Sequence, residues 1–415
     1  MAEEFQIFER SLGVAISTAL ADTPVVCLLG PRQSGKSTLV RHLRPDRAYF
    51  DLDDDDLATT AHMDPGGFVK ALPPRVTLDE IQRVPELLRG IKISVDRQRE
   101  PGRFILTGSA NLLLLPRASE SLAGRMEILQ LHPLTESEKE RAPGAFLRTF
   151  LEGGFEAEIR PSGDFDPLSL ARRLASGGFP SALRRSPERA RVWHRQYLRT
   201  IMERDIRDVA RIRDSTQLQR VLESIAHQSA GLLNRSALGR DLGLDRDTVN
   251  HYLDILEKLF LVRLLPAWHR NRGKRLVKSP KAHLLDSGLA TTLMDLRAEE
   301  WNTRRGEFGK LLESFVVQQL AAQAGWTDTG LKFWHYRDRD QREVDCVITR
   351  GSAVWGVEVK ASRSVGRADI KGLERLAEQA GDDFHSGIVL YAGESTLRLG
   401  GDRFLAVPIS KLWEM

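Results

Sequence analysis

The chain has 415 residues, 41% hydrophobic and 28% charged, with two cysteines and a formal net charge of +4. At roughly 100–200 residues per domain this length predicts about two to four domains, and the composition excludes a fibrous or wholly disordered protein. No apolar run approaches the ~18 residues that span a bilayer. The acidic start Met1-Ala-Glu-Glu lacks the basic flank of a secretory signal, so the expected setting is the cytoplasm with no membrane partner. Cys27 and Cys346 stand far apart and form no ligand-spaced pair, which argues against a disulfide framework or a Cys-rich zinc site.

The modest charge is a cancellation. Residues 184–220 hold eleven Arg against five acids, a surplus of +6. Arg270, Arg272, Lys274, Arg275, Lys278 and Lys281 add another +6 with no acid between them, which leaves −8 for the rest of the chain. Basic stretches on an otherwise acidic chain keep DNA open as a partner.

In chain order, the first 135 residues alternate short apolar runs with helical patterns, the signature of crossover units and a parallel sheet. Strands are expected at Val25–Leu29, Ala48–Leu52, Val76–Leu78, Phe104–Thr107 and Met126–Leu131. Between Pro133 and Pro167 periodicity fades and Gly and Pro rise, which reads as a linker or irregular connection. Arg184–Asp214 is helical, with Trp193, Tyr197 and Ile201 on one stripe, and 216–266 reads as three short helices before the apolar run Leu259–Leu265. A helix at Gly309–Gln323 and strands near Leu331–Tyr336, Glu343–Thr349, Ala353–Lys360 and Gly387–Ala392 follow. The expected organisation is 1–135 a P-loop domain, 136–215 a linker and helical lid, 216–282 a winged helix-turn-helix-like segment, and 283–415 a C-terminal α/β domain.

Gly30-Pro31-Arg32-Gln33-Ser34-Gly35-Lys36-Ser37 fits G-x-x-x-x-G-K-[ST] and sits between an apolar strand and the helical run that starts at Thr38, the context this motif needs. Its backbone N–H groups would converge on phosphate oxygens at a helix N-terminus, with Lys36 reaching the β- and γ-phosphates of ATP and Ser37 ligating Mg²⁺. The strand Arg75-Val-Thr-Leu delivers Asp79 and Glu80 at its end. Asp79 would hold Mg²⁺ through water, and Glu80 would orient or deprotonate the attacking water. One candidate strand, Ala48–Leu52, intervenes between the two motifs, as in P-loop ATPases of the additional-strand class. Phe104-Ile-Leu-Thr107-Gly-Ser109 places hydroxyls at a third strand end, where Ser109 would bond the γ-phosphate or the water. Arg125 is a candidate to complete a neighbouring subunit's site; Arg117 is the rival, and a plain surface arginine fits equally. Asp51 and Asp53–Asp56 fit a solvated loop or helix N-terminus.

The motifs Gly-Pro-Arg-Gln-Ser-Gly-Lys-Ser-Thr, Leu-Asp-Glu-Ile-Gln-Arg-Val-Pro-Glu-Leu-Leu and Phe-Ile-Leu-Thr-Gly-Ser-Ala resemble a prokaryotic family of AAA-type ATPases. In that family a short P-loop domain precedes a domain of unknown function with a restriction-endonuclease-like end. The resemblance covers nearly the whole chain and implies ATP binding and hydrolysis. Gly177-Gly178-Phe179-Pro180 also resembles the Gly-x-Pro element by which signalling ATPases touch the nucleotide through Pro180, and equally fits a turn entering a helix.

Leu238, Leu242, Gly243, Asp245, Val249, Leu253 and Leu256 have helix-turn-helix spacing, with Leu259–Leu265 as a possible wing. Arg246, Thr248, Asn250 and His251 would then face a DNA groove, with the basic run on phosphates. Such units also serve as protein contacts, so a protein partner or self-association stays open. In the C-terminal part Glu313, Asp345, Glu358 and Lys360 are similar to the PD-(D/E)xK nuclease core. Glu358 and Lys360 share a strand face, and adjacent strands would bring Asp345 beside Glu358 to hold Mg²⁺, with Lys360 stabilising charge on an attacked phosphate. The same residue types serve a salt-bridged sheet face in a binding module. Trp334, Tyr336 and Trp355 fit sheet packing better than base stacking.

Overall fold

In the computed structural model the described residues are 7–108, 122–160, 166–205, 215–271 and 279–415. The apolar run Val25–Leu29 (β1) is buried at every position, as a strand covered on both faces must be. It belongs to a five-stranded sheet with Ala48–Asp51 (β2), Val76–Asp79 (β3), Phe104–Gly108 (β4) and Met126–Gln130 (β5), in the order β2-β3-β4-β1-β5. All four pairings are parallel. β4 therefore lies between the strand that feeds the phosphate loop and the one that ends in Asp79, the additional-strand arrangement in space.

The helix Leu12–Asp22 packs Leu12, Ile16 and Leu20 with Leu39 and Val40 of the helix Lys36–Leu43 onto Val26, Leu28, Ile105 and Leu129 of the sheet. Among the described residues no helix is long and apolar enough to cross a membrane.

The chain divides into two compact units. One runs to Leu134 and takes in Lys258–Phe260; the other comprises Thr135–Glu257 and Leu261–Met415. The second unit holds more order than the fading periodicity after Pro133 suggests. Helices Glu136–Glu140 and Phe146–Leu151 form there, the first closed by a Thr135–Glu138 capping box, the second burying Phe146, Leu147 and Phe150. These helices are one or two turns long, too short for a period of 3.6 residues to show.

Helices Ser215–His227, Arg235–Leu242 and Arg246–Lys258 precede an antiparallel pair, Val262–Leu265 (β6) and Lys281–Leu284 (β7). The C-terminal sheet joins Lys332–Arg337 (β8), Glu343–Arg350 (β9), Ala353–Lys360 (β10), Phe384–Tyr391 (β11), Leu397–Arg398 (β12) and Phe404–Pro408 (β13). Its order is β12-β13-β11-β10-β9-β8. The pairs β8–β9, β9–β10 and β12–β13 are antiparallel; β10–β11 and β11–β13 are parallel. The helix Lys371–Ala380 lays Leu373, Leu376 and Ala377 against Val344, Val354 and Val389, with Tyr336 and Trp268 in the same core. Trp355 is also buried, so Tyr336 and Trp355 are packing residues.

Candidate functional site

The phosphate loop leaves the C-terminal end of β1. Gly35 has φ +98°, a left-handed backbone that L side chains rarely adopt. A Cβ on Gly30 would lie 2.2 Å from the Leu131 carbonyl oxygen, so a glycine is required there as well. The Lys36 ammonium is buried and donates to the carbonyls of Gly30 (3.1 Å) and Pro31 (3.0 Å). Ser34 Oγ is buried without a hydrogen-bond partner among the described residues. Such an orphan is costly unless a ligand satisfies it.

Asp79 is buried at the end of β3. Its two oxygens accept from the hydroxyls of Thr107 and Tyr49. Tyr49, on β2, also shares side-chain hydrogen bonds with Ser37 and Arg41, and the Arg41 guanidinium lies 3.8 Å from its ring centre. The Tyr49 oxygen thus links Ser37 to Asp79. Burial and the neighbouring Asp79 raise the Tyr49 pKa, so it stays a protonated donor. Glu80 adopts a left-handed backbone at φ 55°; its N–H donates to Thr107 Oγ1 at 3.3 Å, and its carboxylate accepts from Gln82. Thr107 therefore ties the two acids together.

These residues fit Mg²⁺. The Ser37 hydroxyl and the Asp79 carboxylate are oxygen ligands of the kind it takes, and one phenolic oxygen bridges them.

Two positioning residues escape a sequence reading. Tyr49 is one. The other is Arg10, which donates to the Ser34 carbonyl (2.7 Å) and the His132 carbonyl (2.6 Å), clasping the loop from the N-terminal segment. Neither belongs to a motif; the alternation of β2 offers a faint signal for Tyr49.

Other candidates fall away from this site. Arg125 precedes β5 at the sheet edge opposite the loop, since Met126 pairs with Val25 at the start of β1. Its guanidinium is committed to Asp96 and the Ala123 carbonyl. Ser109 and the rival Arg117 lie outside the described residues. Asp54 caps the helix Asp55–Met63, and Arg83 pairs with Asp53 and Asp55, a helix-terminus use of these acids. In the second unit Gly177 and Gly178 meet Asp286: the Gly178 N–H donates to it at 2.7 Å, and a Cβ on Gly177 would lie 2.4 Å from its carboxylate. This contact is reason enough for a glycine at 177, three residues before Pro180, which opens the helix Pro180–Leu183.

On the helix Arg246–Lys258, Asp245 caps the first turn and takes the Thr248 hydroxyl proton at 2.7 Å. Arg246 and His251 are exposed and Asn250 is half-buried. The basic residues Arg272, Lys274, Arg275 and Lys278 lie outside the described residues.

The C-terminal sheet does bring Glu313, Asp345 and Glu358 together, and it adds a residue that chain order conceals. The ammonium of Lys281, the first residue of β7, lies 3.1 Å from Asp345, 3.3 Å from Glu313 and 2.8 Å from Glu343. Asp345 also accepts from the Val359 N–H at 2.9 Å. Lys360 pairs with Glu358 at 2.7 Å. Burial and then Asp345 push Glu358 up to about 8, and the same two causes hold Glu313 well above the carboxylate range. Burial works to lower the Lys281 pKa, but Asp345, Glu313 and Glu343 outweigh it and raise it, so the ammonium stays charged. Among the described residues no three His, Cys, Asp or Glu side chains are grouped to hold a metal ion. Glu313 and Asp345 thus share the Lys281 ammonium, with Glu358 beside Asp345.

The chain is similar to three families in succession: an AAA domain over residues 22–139, a domain of unknown function (DUF8612) over 168–300, and a second one (DUF4143) over 308–412. The uncharacterized proteins Rv2008c of Mycobacterium tuberculosis and Mb2031c of Mycobacterium bovis are each 30% identical to it over 409 residues, 98% of the chain and 85% of the relative. Among solved structures it is similar to the Walker-type ATPase paby2304 of Pyrococcus abyssi, with 18% identity and a TM-score of 0.44, over 69% of this chain and 96% of that one.

Proposed function

Because the chain belongs to the same family as the mycobacterial proteins Rv2008c and Mb2031c, and its N-terminal unit is an AAA-type P-loop domain, we propose that it hydrolyses ATP and passes the nucleotide state to its C-terminal half. The observation that carries the reading is the link from Ser37 through Tyr49 to Asp79, with Glu80 tied to the same Thr107. The two motifs meet at one edge of the sheet, in the additional-strand order.

Residues Gly30–Thr38 cradle the phosphates with their N–H groups, at the N-terminus of the helix Lys36–Leu43. Lys36 exchanges two carbonyl partners for phosphate oxygens, a stronger charge-assisted bond. Mg²⁺ held by Ser37 and Asp79 would neutralise charge on the β- and γ-phosphate oxygens. Glu80, released from Gln82, accepts the proton of the attacking water. Thr107 holds the Asp79 carboxylate and the Glu80 backbone in register. Phosphate release by the full chain tests this: turnover no faster than that of Lys36→Ala overturns it.

The partner of the C-terminal half is proposed to be DNA, on the strength of exposed Arg246 and His251 beside half-buried Asn250 on one helix and the basic run that follows β6. Binding that weakens steeply with salt, and less steeply once Arg272, Lys274 and Arg275 are neutralised, is the expected result. A salt-independent affinity would favour a protein partner.

A further inference from the structure

A PD-(D/E)xK-like sheet implies a divalent cation among Glu313, Asp345 and Glu358, and the residues present do not fit one. We infer that the Lys281 ammonium is the resident cation of this carboxylate cluster and keeps divalent metal ions out of it.

Three observations carry the inference. The first is the match of donors to acceptors. An ammonium has three N–H donors, and Lys281 faces three carboxylates, Glu343 at 2.8 Å, Asp345 at 3.1 Å and Glu313 at 3.3 Å. The second is spacing. An Mg²⁺ ion at the ammonium's position would take its oxygens at about 2.0–2.1 Å, so each of these three would have to move inward by roughly 1 Å to ligate it. Asp345 is restrained from doing so by the Val359 N–H on its second oxygen. The third is that Lys281 cannot easily leave. Its backbone starts β7, paired with Leu265 of β6 on one side and bridged to Leu232 on the other. The Leu233 N–H donates to the Pro280 carbonyl at 2.8 Å, and the Ala230 N–H donates to that of Ala282 at 2.9 Å. The side chain is 3% exposed, so water offers the ammonium no alternative in the folded state, and an unpaired buried charge is strongly disfavoured.

The consequence concerns chemistry. Lys360 is held by Glu358, Lys281 by the other three acids, and Arg337 stands 4.0 Å from Glu343, so three basic side chains face the four acids without a metal ion. The C-terminal domain then acts as a binding module, and metal-dependent cleavage by this domain is not expected.

The test counts Mn²⁺ ions bound by the nucleotide-free full chain, from the electron paramagnetic resonance signal of free Mn²⁺. Any ion at the phosphate loop is common to all variants and cancels in the comparison. Wild type and Asp345→Asn are expected to bind equal numbers, Lys281→Met one more, and Lys281→Met with Asp345→Asn to lose that extra ion. A wild type that binds one ion more than Asp345→Asn overturns the inference, as does a folded Lys281→Met that gains none. Should Lys281→Met fail to fold, wild type against Asp345→Asn and Glu313→Gln decides it alone. The outcome is independent of ATP turnover, so the hydrolysis proposal can fail without touching it.

Discussion

Two strands of this protein carry a buried aspartate beside other acids, and the two aspartates are treated differently. Asp79 on β3 is held by neutral hydroxyls, Tyr49 and Thr107, and has no ion-pair partner among the described residues. Asp345 on β9 is held by an ammonium, Lys281, and a backbone N–H. Hydroxyls rotate aside at small cost and can accept as well as donate, so the first acid can receive a cation. A buried ammonium can be displaced only by leaving a charge unpaired, at several kcal/mol. The difference separates an acid arranged for ligand exchange from one arranged for permanence, although both stand on strands and both resemble catalytic motifs.

The largest effect expected of the first cluster is on turnover. Lys36→Ala should lower kcat/KM by about 10³-fold, and Glu80→Gln should lower kcat by about 10²-fold while nucleotide binding persists; phosphate release with a fluorescent-nucleotide titration checks both. In the second cluster the effect falls on stability instead. Lys281→Ala should cost about 3–5 kcal/mol in denaturant unfolding of the C-terminal unit, whereas Asp79→Asn should cost about 1 kcal/mol in the N-terminal one. Equal costs would erase the contrast.

Tyr49→Phe sharpens it further. Loss of one hydrogen bond should cost about 1 kcal/mol, and, with the hydroxyl off Asp79, the Mg²⁺ concentration for half-maximal turnover should fall. A rise would mean that Tyr49 helps to hold the ion. The remaining effect is on pH dependence. Glu358 is raised from 4.5 to about 8, so the folded state binds its proton more tightly than the unfolded chain does. The stability it contributes is full below about pH 4.5 and is lost as pH rises through about 8. Glu358→Gln should flatten that decline, measured as the unfolding midpoint across the range.

Much of the site is legible along the chain because phosphate loops are local. Gly30, Gly35, Lys36 and Ser37 lie within eight positions, and a strand that ends in Asp79-Glu80 declares itself by its apolar run. For Arg125, proximity in sequence to β4 and β5 says nothing about which end of the sheet it occupies. For Thr248, helix periodicity gives a face without revealing that the Asp245 cap takes its hydroxyl proton.

The sequence by itself determined the α/β character of the N-terminal region, the phosphate loop and its acidic partner, and the sheet-borne acids of the C-terminal part, since each rests on short-range spacing and periodicity. Only the tertiary structure decided what surrounds those acids. Arg10 reaches a carbonyl 122 residues away, and Lys281 reaches Asp345 across 64. In the sequence Lys281 counts as the last charge of a basic run. In the fold it is buried among acids, because a cation's role is set by which carboxylates the backbone brings within about 3 Å of it, and linear order does not encode that.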